Sequence, residues 1–153
     1  MKISPQYIAG FIDGEGYFGI VKKNDKRFGM DYYYVPVLKI SQVTQNREVL
    51  DAIKEYLGYG IFWEGKNTTN ANGRRVSSLE FRGMKRVFPI VKKLYPYLIV
   101  KKKQAEILLE YSKLPVYTFN RKGEPKMVEL DKKRTALYER IRACNHRGLA
   151  ETK

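Results

Sequence analysis

Asp13-Gly14-Glu15-Gly16 sets a carboxylate between two glycines at the end of a mostly apolar stretch, Tyr7 to Ile12. Glycine permits a tight exit from a helix, so Glu15 is expected at the foot of the element that follows. A carboxylate in that position offers the hard oxygen donors that Mg²⁺-like cations prefer. The remaining composition narrows the chemistry further. The chain has one cysteine, Cys144, and one histidine, His146. An intrachain disulfide is excluded, and a Cys/His zinc site cannot be assembled. Any metal must therefore be held by oxygens. The lone histidine is remote in sequence from Glu15, which leaves metal and solvent to activate a water.

The elements that must position Glu15 can be read from periodicity. Ser4 caps and Pro5 opens a first helix running to about Asp13. From Tyr17 to Lys23, Phe18 and Ile20 share one face, with Tyr17, Gly19, Val21 and Lys23 on the other, as in a half-buried strand. From Tyr32 to Gln42, Leu38 and Ile40 oppose Lys39 and Ser41, and the two strands pair as a hairpin. Asn46 is placed to cap a second helix carrying Val49, Leu50, Ile53 and Leu57, and Gly58 to end it. Tyr59 to Trp63 and Val76 to Arg82 form a second hairpin, with Leu79 and Phe81 inward. Val87, Phe88, Val91 and Leu94 suggest a third helix, although Pro89 obscures its start. An amphipathic helix from Lys103 to Leu114 follows, then a last helix from about Met127 to Asn145. The fold class expected is α+β, an αββαββα core with a four-stranded antiparallel sheet and C-terminal helices. It forms one domain over 1–153, with the core at about 4–114 and a helical extension at about 115–153.

Lys and Arg number 30 against 16 Asp and Glu, a net charge of +14. A compact chain with that imbalance repels itself unless it works beside a polyanion. Helices on one face of the sheet leave the other face open, and Lys23, Lys39 and Arg82 fall on it. Such a basic, side-chain-rich sheet can lie along a DNA groove. No apolar run approaches the roughly 20 residues that span a bilayer, and no signal peptide is visible. An intracellular protein with no membrane partner and no small-molecule substrate is expected.

Tyr7-Ile8-Ala9-Gly10-Phe11-Ile12-Asp13-Gly14-Glu15-Gly16 closely resembles the motif of the LAGLIDADG homing endonucleases. The resemblance extends to the strand after the motif, the repeated helix-hairpin order and the basic balance. It implies a metal-dependent enzyme that binds a long, pseudo-palindromic duplex and hydrolyses both strands, leaving short 3′ overhangs in the service of intron homing. Because one motif is present, it implies a homodimer with the motif helices packed together through Tyr7, Ala9, Gly10 and Asp13. Small residues let two helix backbones approach closely. Glu15 and the Gly14 carbonyl are then the metal ligands. Mg²⁺ is the expected ion, with Mn²⁺ or Ca²⁺ able to take the same sites. The resemblance also implies a glutamine near the hydrolytic water, for which Gln42 and Gln45 compete. Strand alternation favours Gln42. It further implies a catalytic lysine, matched by Lys101 after Pro96-Tyr97-Leu98, with Arg47 a weaker candidate for the same pocket.

Recognition is expected from Lys22, Lys23, Lys26, Arg27, Tyr33 and Lys39 of the first hairpin. The second offers Trp63, Lys66, Asn67, Asn70, Asn72, Arg74, Arg75, Ser78, Glu80 and Arg82. Arg and Lys can read guanine, Asn adenine, and Glu the cytosine amino group. Lys102, Lys103, Arg121, Lys122 and the run Lys132-Lys133-Arg134 suit phosphate contacts. An RNA maturase, or a non-catalytic DNA-binding regulator on the same scaffold, are the competing readings.

Overall fold

A computed structural model describes residues 1–24, 32–64, 70–116 and 125–146. The elements run α1 (Pro5–Glu15), β1 (Gly16–Lys23), β2 (Tyr33–Val43), a 3₁₀ turn (Thr44–Asn46) and α2 (Glu48–Leu57). They continue through β3 (Ile61–Trp63), β4 (Val76–Arg82), α3 (Met84–Leu94), a 3₁₀ turn (Tyr95–Tyr97), α4 (Lys102–Tyr111) and α5 (Pro125–Asn145). The strands make one antiparallel sheet in the order β1-β2-β4-β3. This is the αββαββα arrangement with added helices that alternation and helical spacing predict. No described helix is long and apolar enough to cross a membrane.

α1 begins as its sequence dictates. The Ser4 hydroxyl accepts from the Tyr7 amide at 3.1 Å, and Pro5 takes the first helical turn, where its missing N–H costs nothing. The helix ends against Gly16, whose amide donates to the Ile12 carbonyl. A Cβ at position 16 would lie 2.7 Å from that same carbonyl oxygen, so glycine alone fits this junction. β1 starts immediately and pairs Gly16 with Ile40.

Alternate residues of the sheet face the helices. Phe18 and Ile20 of β1, Leu38 and Ile40 of β2, and Leu79 and Phe81 of β4 are buried there. Ile8, Ile12, Leu50, Ile53, Val87, Val91, Leu94, Leu108 and Tyr111 cover them in one continuous core. α5 joins that core through Leu137 and Ile141, and the Tyr34 hydroxyl meets Thr135 at 2.9 Å. The last helix is thus packed into the body.

One local reading changes, and one open boundary is located. Asn46 does not cap α2: residues 44–46 wind into a 3₁₀ turn, and Arg47 occupies the cap position without a side-chain bond. The third helix, whose start Pro89 obscured in the sequence, begins at Met84 and holds Pro89 in its interior. An interior proline costs about 3 kcal/mol, but Val87, Phe88, Ile90, Val91 and Leu94 are all buried around it. Their combined burial, at roughly 1.5–3 kcal/mol for each large side chain, outweighs that cost.

The end of α1 is fastened to the start of α4 by one side chain. Asp13 Oδ2 accepts from the Ile99 amide at 2.8 Å and Oδ1 from the Lys101 amide at 2.9 Å. In return, Lys101 Nζ donates to the Asp13 carbonyl at 2.5 Å. Charged acceptors contribute about 1.5–3 kcal/mol per bond. Asp13→Ala is therefore expected to lower unfolding stability by about 2–4 kcal/mol. Urea unfolding should show a lower midpoint at unchanged slope, with Asp13→Asn falling between the two.

Candidate active site and the outer sheet face

Glu15 stands exposed at the C-terminal end of α1, where the last carbonyls of a helix lack intrahelical partners and carry negative partial charge. The Ile12 carbonyl is satisfied by Gly16, and the Asp13 carbonyl by Lys101. The carbonyl of Gly14, the next in the chain, belongs to the same last turn. No basic residue occupies the last turn of α1. A recess of about 280 Å³ opens there, lined by Gly14, Glu15, Gly16, Tyr17, Lys101, Gln104, Cys144 and Asn145. Two of the predicted catalytic residues, Glu15 and Lys101, thus share one pocket with the predicted backbone ligand.

The donor set fits half of a hard-cation site. Mg²⁺ characteristically takes one or two carboxylates and fills its octahedron with phosphates and water. One chain supplies Glu15 and the Gly14 carbonyl. Among the described residues no group of three or more His, Cys, Asp or Glu could hold a metal unaided.

Gln42 and Gln45 separate by position. Gln42 pairs with the buried Ser77 and has the parity of Leu38 and Ile40, so its side chain belongs to the helix-facing side. Its Oε1 is occupied by the Val43 amide at 2.8 Å. Gln45 lies in the 3₁₀ turn, exposed, in a recess of about 340 Å³ with Val43, Thr44, Arg74 and Arg75. Parity cannot decide between them, because the turn ends the strand before Gln45. Arg47 stacks on Phe62, 4.3 Å from the ring centroid, and is ion-paired to Glu64 and Asp51.

The motif helix has two faces that sequence spacing did not separate. Ala9 is 0% exposed and packs inward with Ile8 and Ile12. It does not belong to the open stripe expected to meet a second helix. That stripe is Tyr7, Gly10 and Gly14, with Phe11 at its side. Tyr7 is 49% exposed and stacks on Phe11 at 6.2 Å. A Cβ on Gly10 or Gly14 would meet nothing of this chain within 4 Å. Asp13 is likewise withdrawn from the stripe, because both its oxygens serve the Ile99–Lys101 turn.

The face opposite the helices carries Tyr17, Lys23, Tyr33, Lys39, Ser41, Ser78, Glu80, Arg82, Ile61 and Trp63. Lys39 faces Glu80 across the ladder, and Arg82 Nε donates to the Glu80 carboxylate. Ser41 and Ser78 hydroxyls meet at 2.8 Å. Trp63 is 56% exposed on the edge strand. Lys22 has the opposite parity and sits over the Tyr32 ring at 4.1 Å, so it is not part of this face. Asn70 Oδ1 accepts from the amides of Asn72 and Arg74, each at 3.0 Å, and so shapes the turn that presents Arg74 and Arg75. Lys26, Arg27, Lys66, Asn67, Arg121 and Lys122 lie outside the described residues.

Gln104, Cys144 and Asn145 were not anticipated. Gln104 follows Lys101 by three positions, a spacing that puts both on one helix face, and could have been found. Nothing in the sequence brings the end of α5 to the pocket.

Comparison with known proteins agrees with this geometry. The archaeal intron-encoded homing endonuclease I-Vdi141I, solved in complex with DNA, is 27% identical; the match covers 97% of this chain and 88% of that one, with a TM-score of 0.72. I-CvuI, solved with its target in the presence of Ca, is 22% identical over 92% of this chain and 90% of its own, at a TM-score of 0.65. I-TnaI, also 22% identical, covers 95% and 97% at 0.60. The latter two establish the fold. No curated protein matches the sequence. Residues 8–112, which hold the Asp13-Gly14-Glu15-Gly16 exit, both hairpins and Lys101, match the LAGLIDADG endonuclease family, and the chain belongs to that family.

Proposed function

We propose that two copies of this chain form a metal-dependent DNA endonuclease that binds a long, near-palindromic duplex and cuts both strands, leaving short 3′ overhangs. The observation that carries this reading is the end of α1. There an exposed carboxylate, a helix C-terminus and a buried lysine share a pocket beside a stripe of bare backbone. I-Vdi141I and I-CvuI were both solved on DNA, the latter also with Mg present and the DNA uncleaved, which supports the same substrate and ion class here. I-Vdi141I is intron-encoded, and the same origin is proposed for this chain.

Glu15 and the Gly14 carbonyl would hold Mg²⁺, which when bound lowers the pKa of a water and neutralises charge at a departing 3′-oxygen. Mn²⁺ would serve similarly, and Ca²⁺ would fill the site without turnover. A second protomer, packed along Tyr7, Gly10 and Gly14, brings the second carboxylate. Such a self-complementary interface imposes two-fold symmetry on the target. The Lys101 ammonium, at the wall of the recess, is placed to stabilise charge developing on the phosphate. Gln45 is proposed to orient the water in place of Gln42, whose Oε1 is held by the Val43 amide. The outer face of the sheet supplies base contacts through Lys23, Tyr33, Lys39, Trp63 and Arg82, while Ser78 and Glu80 are buried and brace Ser41 and Arg82. Arg74, Arg75 and Asn72 lie at its rim.

Three outcomes are expected. Glu15→Gln should bind a cognate duplex normally and lose cleavage by about a thousandfold or more, the scale of several kcal/mol of lost charge stabilisation. Equal cutting by that variant would remove Glu15 from the metal site, and an unaltered chain that binds but never nicks DNA with Mg²⁺ would favour a binding protein or maturase. Gly10→Leu should keep the far-UV spectrum of the fold yet weaken self-association by about ten- to a hundredfold in sedimentation, as an overpacked contact does. Gln45→Ala should slow single-turnover cleavage by about tenfold to a hundredfold, with Gln42→Ala nearer the unaltered rate.

A further inference from the structure

The pocket has a third wall, supplied by the far end of the chain. Asn145, the last residue of α5, donates through Nδ2 to the Phe18 carbonyl at 2.8 Å. Its Oδ1 accepts from Gln104 Nε2 at 3.5 Å. Phe18 lies three residues beyond Glu15 on β1, and Gln104 lies one turn beyond Lys101 on α4. β1 has a neighbour on one side only, and Asn145 caps one of its carbonyls. A single amide therefore joins β1, which begins one residue after Glu15, to α4, which begins one residue after Lys101.

α5 does not need this bond to stay in place. Leu137 and Ile141 are buried in the core, Tyr34 holds Thr135, and Arg134 Nη2 donates to the Pro115 carbonyl at 2.6 Å. Arg140 also pairs with Glu110 at 2.8 Å. Against those attachments, a part-buried amide in the final turn contributes little to holding the helix. Its geometric effect is local: it sets how far β1 and α4 stand apart where the recess opens.

We infer that Asn145 is a positioning residue of the nuclease, holding the Glu15 and Lys101 sides of the pocket at a fixed separation. The inference rests on the endonuclease reading above. Asn145 touches neither metal nor phosphate in this role. It acts through Phe18 and Gln104, so its loss falls on turnover rather than on DNA binding.

Asn145→Ala removes both bonds, and Asn145→Asp removes only the donor to Phe18. Thr135→Val, at the other end of α5, serves as a stability control. With Mg²⁺ and a cognate duplex, Asn145→Ala should slow single-turnover cleavage by about ten- to a hundredfold, the usual cost of losing a group that orients a metal ligand. DNA affinity should stay within about threefold, separating turnover from binding. Thr135→Val should lower Tm comparably and leave the cleavage rate within about twofold. Asn145→Asp should behave like Asn145→Ala, because the Phe18 bond is the one that fixes β1. Cys144, the sole cysteine, lines the same pocket and reports on the wall without catalysis. Its alkylation by a maleimide should quicken several-fold in Asn145→Ala. Cleavage by Asn145→Ala within twofold of the unaltered chain, equal slowing by Thr135→Val, or unchanged Cys144 alkylation would each overturn the inference. If the unaltered chain cuts no DNA at all, the endonuclease reading fails, and the alkylation comparison still decides whether Asn145 holds the wall.

Discussion

A helix that ends beside an open recess presents unsatisfied carbonyls, and something must satisfy some of them while leaving others free. Here the exchange between Asp13 and Lys101 does so. The carboxylate of Asp13 takes two amides of the 99–101 turn, and the lysine of that turn returns its ammonium to the Asp13 carbonyl. Each group thereby orients the other. The pair fixes the rotation of α1 about its axis, which in turn decides where Glu15 points and which glycines remain bare. It also starts α4 at a defined place, since Lys101 is the residue just before that helix.

Much of this was legible in the sequence because it follows from parity and helical spacing. Phe18, Ile20, Leu38, Ile40, Leu79 and Phe81 all turn inward as alternation requires. Ser4, Pro5 and Gly58 mark helix ends by local rules, and Gly58 adopts a φ of 73°. Those rules stop at some positions. Strand parity says nothing about Gln45, because a 3₁₀ turn intervenes. Ala9 and Gly10 are both small and adjacent, yet a helix turns about 100° between neighbours, so only one can face outward. Which one does is set by packing against α3 and the sheet. Asn145 and Phe18 are 127 positions apart, and no local signal reports a contact of that range.

The outer face is already internally paired. Glu80 is engaged by Arg82 and faced by Lys39, and Ser41 holds Ser78. Ionised groups kept together in this way cannot be separated without replacement partners of equal quality. A duplex that offers matching donors and acceptors recovers that loss, and one that does not leaves charges stranded. Discrimination then arises from the penalty on the wrong sequence as much as from attraction to the right one. The net charge of +14 adds attraction that is indifferent to sequence.

β2 is the longest strand among the described residues, with 11 residues from Tyr33 to Val43, and it runs through the middle of the sheet. At about 3.3–3.4 Å per residue it extends roughly 36 Å, nearly the length of one turn of B-form duplex. The rise per residue almost equals the rise per base pair, about 3.4 Å. Outward side chains recur only at every second residue, so a single strand can address alternate base pairs at most. On the proposed half-site, the intervening steps would be met by β1 and β4, so that the pleat itself divides the target's letters among neighbouring strands.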